Sequence, residues 1–341
     1  MSTIAASPES DISSRLIFLL SAPRSGSTLL MRILNATEQI SARSEPHLIP
    51  PLAHLGYWNC VDLAPYDQLQ AQMAIREYIS SLSQGEELYY QACRAYSDTL
   101  YSSMIGQGVA QYFLDKTPAN SLVFPFLKRL YPKAKFIILT RHPAAIFASY
   151  VESFFDGDID AAHAFNPILA RYIPALAEGL KHPPAHLLHV SYESLVCNPK
   201  EELQKISAFL RIPLQEEALQ YNRASVEKGL GDPIGVAQND RPVTSSLDRW
   251  VDFFHAQPKA RHILEQQLKH ISDEELSWFG TSFGSLWEAM GEKTTSSSKR
   301  KTSRFLLERK ILIALRKNIH ARPHGAWVES IRRLCDVLLR G

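Results

Sequence analysis

Cysteine is scarce: four in 341 residues (Cys60, Cys93, Cys197 and Cys335), far apart and with no C-x-x-C pair. That excludes a disulfide framework and a cysteine zinc site, and it suits reduced thiols in a cytoplasmic protein. Long apolar runs are also missing. No stretch approaches the roughly 18 residues a membrane span needs, and Met1 to Arg15 is polar, with no apolar core of a signal peptide. A cytoplasmic location without a transmembrane span is therefore expected. The histidines His182, His186 and His189 fall at no metal-ligand spacing, so no metal site is expected. No internal repeat is visible.

What remains is ordinary for a globular protein. Hydrophobic residues make up 45% and charged residues 21% of a chain long enough for one large α/β domain or two small ones. The net charge of +2 hides an asymmetry: from Lys299 onward there are 12 Lys+Arg and 3 Asp+Glu, a net of +9, which leaves residues 1–298 at −7. Gly291 to Ser298 reads as a linker between an acidic body and a basic tail. The tail shows no nucleic-acid-binding signature, so no nucleic-acid partner is expected.

The densest information lies at residues 21–28, Ser-Ala-Pro-Arg-Ser-Gly-Ser-Thr, directly after the apolar run Leu16 to Leu20 and before Leu29, Leu30, Ile33 and Leu34. A buried strand, a turn of small residues and a helix start present backbone N–H groups to an anion. The outline is that of a phosphate-binding loop, with two departures from G-x-x-x-x-G-K-[ST]. Ser21 stands at the first glycine and Ser27 at the lysine. Arg24 supplies the fixed charge instead. The next strand, Lys135 to Thr140, runs into Arg141-His142-Pro143, a cation where a metal-binding carboxylate would be wanted. A monophosphate-type anion held by arginine and backbone fits better than a Mg²⁺-bound triphosphate.

Strands are expected at 15–21, 111–115, 135–140 and 186–191, and helices at 27–36, 119–131, 143–154 and 199–210. Apolar strands alternating with helices imply an open parallel sheet covered on both faces, an α/β fold with a P-loop-like head. The Tyr-rich stretch 46–112 is expected to cap the sheet with helices, its tyrosines packing that layer or lining an acceptor pocket. Residues 152–166 are a second acceptor-loop candidate.

Three segments in this order resemble the sulfotransferases that use 3′-phosphoadenosine 5′-phosphosulfate (PAPS). The loop Pro23-Arg24-Ser25-Gly26-Ser27-Thr28-Leu29 is similar to their 5′-phosphosulfate loop. Thr140-Arg141-His142-Pro143 with Ser149 is similar to their 3′-phosphate strand and helix. Leu188 to Val196 with Pro199, Leu203 and Ile206 resembles their Tyr-Glu-x-Leu-Val segment. The arginine-bearing loop is closest to the tyrosylprotein and polyketide-synthase types. Tyrosylprotein enzymes are luminal and membrane-anchored, so the missing anchor argues against that role, and the polyketide-type resemblance makes a secondary-metabolite acceptor the expected class.

The resemblance implies a set of roles. Arg24 and the amides of Ser25, Gly26, Ser27 and Thr28 would hold the departing phosphate. Lys116, in Leu114-Asp115-Lys116-Thr117-Pro118, would bridge donor and acceptor; its plainer alternative is a solvent-facing lysine paired with Asp115. Arg141 and Ser149, eight positions apart and so about two helical turns, would take the 3′-phosphate. Arg241 would close over the donor or form a surface ion pair, and Tyr192 would stack on adenine or pack in the core. Two residues compete as the base. Glu45 falls where tyrosylprotein sulfotransferases place their glutamate, counted without gaps from Arg24. His47 is the rival and in the family often helps bind the acceptor. The implied acceptor is a hydroxyl on a small molecule or on an acyl-carrier-protein-bound chain.

Residues 1–290 are expected to form the sulfotransferase domain, 291–298 the linker, and 299–341 a tail of two amphipathic helices (Leu307, Ile311, Leu315; Val328, Ile331, Cys335, Leu338) split at Arg322-Pro323. The tail has three readings: packing on this or a neighbouring subunit, docking an acidic carrier, or touching an anionic membrane. Two rival functions stay open, a small-molecule P-loop kinase and a non-catalytic nucleotide-binding scaffold.

Overall fold

A computed structural model describes residues 12–53, 55, 66–105, 110–220, 242, 244 and 247–291, with side chains from residue 74 onward in the segment 66–105. Arg241, linker residues 292–298 and the basic tail 299–341 lie outside the described residues, as do Tyr57 and the side chain of Tyr66.

The chain opens with β1 (Leu16–Ser21), every residue of which is buried. Helix α1 (Ser27–Asn35) leads to β2 (Ile40–Ser44), and then come α2 (Ile49–Ala53), α3 (Tyr66–Ser81) and α4 (Gly85–Ile105). Next are β3 (Tyr112–Lys116), a 3₁₀ turn Pro118–Val123, α5 (Phe124–Leu130) and β4 (Lys135–Thr140). After α6 (Pro143–Phe155), α7 (Ile159–Phe165) and α8 (Ile168–Lys181), β5 (Leu187–Ser191) completes the sheet. The remaining helices are α9 (Tyr192–Cys197), α10 (Pro199–Leu210), α11 (Arg249–Ala256), α12 (Lys259–Leu268), α13 (Asp273–Ser277) and α14 (Phe283–Ala289).

Among the described residues five strands form one sheet, all parallel, in the order β2-β3-β1-β4-β5. Successive side chains of a strand point to opposite faces, and the core divides accordingly. Ile17, Leu19, Ile137 and Leu139 pack with Leu30, Ile33, Leu203 and Ile206 on one face. Leu16, Phe18, Leu20, Phe136 and Ile138 pack on the other with Tyr101, Phe126, Phe147 and Leu176, a cluster that α11 to α14 extend through Phe253, Leu264, Leu276 and Leu286. From β1 the chain moves to the β2 edge, returns through β3, and crosses to β4. Such a reversal of strand order opens a crevice at the carboxyl ends of the strands. The loops after β1, β3 and β4 meet there.

Two expectations are revised. Strand β2 was not foreseen and separates α1 from Glu45. The helix expected over 119–131 is a 3₁₀ turn followed by α5; Pro125 lacks an N–H to bond back into the preceding turn and sits in the first turn of the new helix, where none is needed. In the cap, Tyr89, Tyr90 and Tyr101 are buried in the core, whereas Tyr78 and Tyr96 face solvent. Gly280 to Gly284 spells the nucleophile-elbow pattern G-x-S-x-G, but Ser282 caps α14, accepting from the Ser285 N–H. Among the described residues no helix is long and apolar enough to cross a membrane.

Candidate active site

The loop after β1 turns on two left-handed residues, Arg24 (φ 68°) and Gly26 (φ 84°). Alternating backbone hands of this kind form a concavity of N–H groups that suits an anion. Gly26 is required twice over: its φ suits glycine, and a Cβ there would come within 2.4 Å of Tyr192 Cδ2. Ser25 is fully buried, and its Oγ has no hydrogen-bond partner among the described residues. Ser27 and Thr28 open α1 and are buried. The base of the loop is fixed to the sheet: Ser21 N–H donates to Ser121 Oγ at 2.9 Å, and that hydroxyl donates back to the Ser21 carbonyl at 3.1 Å.

The residues expected at the two phosphates are interlocked. Arg24 Nε donates to Ser149 Oγ on α6 at 3.1 Å, and its guanidinium lies 5.5 Å over the Phe154 ring. Arg141, at the end of β4, donates from Nη1 to the Arg24 carbonyl at 2.8 Å. Arg141 is itself buried, with its guanidinium 4.4 Å over the Tyr192 ring. Tyr192 therefore abuts Gly26 and underlies Arg141, bracing both. Burial pushes the Arg141 guanidinium below its ordinary value; Tyr192 and Glu193 oppose that, while the charges of Arg24 and Arg249 add to it. A desolvated cation among like charges is stabilised by an incoming anion.

Arg249 was not singled out in the sequence. It reaches this cluster because Trp250, the next residue of α11, stacks on His142 with ring centroids 4.4 Å apart at 20°. His142 caps α6; its N–H donates to Glu193 Oε1 at 2.9 Å, and burial with the Arg141 charge lowers its imidazole to about 4.

The third group sits at the ends of β2 and β3, which pair with Ser44 opposite Lys116. Glu45 N–H donates to the Lys116 carbonyl at 2.8 Å, and Lys116 Nζ donates to Glu45 Oε1 at 2.8 Å. Lys116 is 1% exposed, Glu45 23% and His47 44%, with His47 Nε2 3.7 Å from Glu45 Oε2. The solvent-facing alternative for Lys116 fails, because Asp115 points to the opposite sheet face. Its carboxylate accepts from Tyr101 at 2.6 Å and Thr117 at 2.7 Å, and burial pushes it above its ordinary value. His189, at the margin, meets Thr140 Oγ1 at 2.9 Å. Among the described residues no three His, Cys, Asp or Glu side chains gather as a metal ion would require.

Comparison with known proteins follows the same residues. A family model described as "Sulfotransferase family" matches residues 16–216, more than half of the chain. That span holds the loop, Glu45, Lys116, Arg141, Ser149 and Tyr192, and it stops short of Arg249. Nodulation protein NoeE of Sinorhizobium fredii is 31% identical over 214 residues, 57% of this chain and 49% of that protein. Protein-tyrosine sulfotransferase A of Caenorhabditis elegans is 24% identical over 249 residues, 69% of this chain and 60% of that one. The matched regions thus span about half and three-fifths of these relatives' lengths. Among solved structures, the sulfotransferase domain of the Synechococcus PCC 7002 olefin synthase superposes with a TM-score of 0.49 at 24% identity, covering 74% of this chain and 93% of that one.

Proposed function

Because the chain belongs to the sulfotransferase family, we propose that it transfers a sulfuryl group from PAPS to a hydroxyl of a small molecule or a carrier-bound chain, releasing adenosine 3′,5′-bisphosphate (PAP). Residues 1–290 are the catalytic unit in this reading, joined through 291–298 to the basic tail.

The observation that carries it is the interlock of Arg24, Arg141 and Ser149. It places two guanidiniums, and the charge of Arg249, around a loop whose N–H groups and buried Ser25 hydroxyl are arranged for an anion. A donor with phosphates at both 3′ and 5′ positions needs such paired cations. Arginine is suited to phosphate through two parallel donors.

Sulfuryl transfer makes an O–S bond to the acceptor and breaks the bridging O–S bond of the donor. By analogy with phosphoryl transfer the transition state is loose and in line, so the protein works through positioning and charge. Arg24 and the loop offset charge growing on the departing phosphate. Glu45 takes the hydroxyl proton, and the buried Lys116 holds that carboxylate in place through Oε1.

Calorimetry tests this reading. The protein should bind PAP in buffer containing EDTA, and Arg141→Ala should weaken binding tenfold or more, in line with loss of about 1.5–3 kcal/mol for a charged hydrogen bond. Mg²⁺-dependent ATP hydrolysis without PAP binding would instead support the kinase.

A further inference from the structure

The hydroxyl proton released in each turnover must leave the site as well as the acceptor. We infer that His47 carries it from Glu45 to solvent. The inference rests on the transferase reading above and adds a route to it.

The two oxygens of Glu45 are used differently. Oε1 is held by Lys116 Nζ at 2.8 Å, while Oε2 faces His47 Nε2 at 3.7 Å. Glu45 is itself 23% exposed, so a proton accepted by its carboxylate leaves either directly to water or through a neighbouring side chain, and few neighbours are suited to take it. Lys116 is 1% exposed and, as a donor to Oε1, takes no further proton. On α8, the Tyr172 phenol feels the Glu45 charge, but burial pushes it up to about 12, so it remains protonated and accepts nothing. The Asp115 carboxylate on β3 feels His47, yet it is enclosed by Tyr101 and Thr117. His47 alone among these groups both faces Glu45 and opens to water, with 44% of its side chain exposed.

The backbone supports the pairing. Glu45 (φ 56°) and His47 (φ 53°) are both left-handed on either side of Pro46. Such residues cost about 1–3 kcal/mol each unless their surroundings hold them. Here the strained turn makes the two side chains converge. In each cycle the acceptor O–H proton passes to Glu45 and then, once a side-chain rotation closes the 3.7 Å gap to hydrogen-bond distance, to His47 Nε2, while the opposite ring nitrogen releases its own proton to water; ring rotation or tautomer exchange resets the imidazole.

Acceptors of graded acidity test the route, with PAPS as donor. Phenol, which titrates near 10 as tyrosine does, needs its proton removed; 4-nitrophenol is a far stronger acid, about half ionised at neutral pH, and depends on a base much less. His47→Gln should lower the phenol-to-4-nitrophenol rate ratio by about tenfold or more, less than the 10²–10⁴ typical of a lost base itself. His47→Ala should do the same, and added imidazole should restore phenol turnover in that variant. Thermal melting of both variants verifies their fold. An unchanged ratio, an equal loss on both acceptors, or a phenol loss that imidazole does not restore overturns the relay and leaves the transferase reading standing. Wild-type protein that binds PAP but transfers to neither acceptor overturns the transferase reading for phenols, and the relay with it.

Discussion

The buried Lys116–Glu45 pair predicts an asymmetry in stability. Lys116 is 1% exposed and its ammonium is 2.8 Å from Glu45 Oε1, whereas Glu45 is 23% exposed. Glu45→Gln leaves an amide oxygen for the ammonium and keeps the same backbone strain, so it isolates the loss of charge. Removing one member of a buried pair costs about 3–5 kcal/mol. The partial exposure of Glu45 lets some water reach the stranded ammonium, which lowers the expectation to about 2–3 kcal/mol. Lys116→Met removes the buried charge and keeps the apolar stem. The carboxylate left behind can hydrate, so this change should cost about 1 kcal/mol or less. The double variant should recover about 1–2 kcal/mol relative to Glu45→Gln, as a buried charge without a partner is no longer present. Urea unfolding followed by tryptophan fluorescence reads all three against a total of about 5–15 kcal/mol. If Lys116→Met proves as destabilising as Glu45→Gln, the ammonium does not depend on this carboxylate and the account of the pair is wrong.

Three further expectations concern the loop and its support. Gly26→Ala places a methyl 2.4 Å from Tyr192 at φ 84°, and should cost at least about 2 kcal/mol in thermal unfolding and weaken PAP binding in calorimetry; a variant equal to wild type in both would show that Tyr192 does not brace the turn. Arg24→Ala should lower kcat by about 10²–10³ with the melting temperature nearly unchanged, and near-normal turnover would remove Arg24 from the mechanism. His142 sets a pH dependence. Its imidazole is held down to about 4 against an ordinary 6.5, so between those values the unfolded chain binds the proton and the native state does not. Stability present above pH 6.5 is therefore lost as pH falls toward 4, by about 3 kcal/mol at 1.36 per unit. His142→Gln should show a flatter decline in urea midpoint over that window; parallel curves for variant and wild type would refute the assignment.

Legibility in the sequence followed local signals. The strands that became β1 and β4 are unbroken apolar runs, and the small-residue turn between β1 and α1 could only be an anion loop or a tight corner. Strand β2 was invisible because Ile40-Ser41-Ala42-Arg43-Ser44 is five residues long and half polar, as an edge strand with one covered face must be. That omission had a consequence. Glu45 and Lys116 were each singled out, but only the parallel register of Ser44 with Lys116 reveals that they are partners. Arg249 carried no motif at all. Its place is set by a long-range contact, Trp250 on His142, and a contact between residues more than a hundred apart has no local signature.

The distribution of backbone strain separates the site from the scaffold. Six non-glycine residues among those described have left-handed φ: Arg24, Glu45, His47, Gln84, Asp156 and Arg211. Asp156 and Arg211 end helices, and each donates its N–H back to a helix carbonyl, the usual place for such a residue. Gln84 immediately precedes α4 and accepts the Leu88 N–H at 3.0 Å. Arg24, Glu45 and His47 terminate no helix. They follow the carboxyl ends of β1 and β2, at one edge of the parallel sheet. Strain without a capping role persists where surrounding contacts over-determine it. Those contacts are the Arg141 bond to the Arg24 carbonyl and the Lys116 bonds to Glu45, made by the two most deeply buried cations of the site. Arg141 and Lys116 thus hold the backbone in its unfavourable conformation, and in the proposed transferase reading the same two residues would also supply positive charge to the donor.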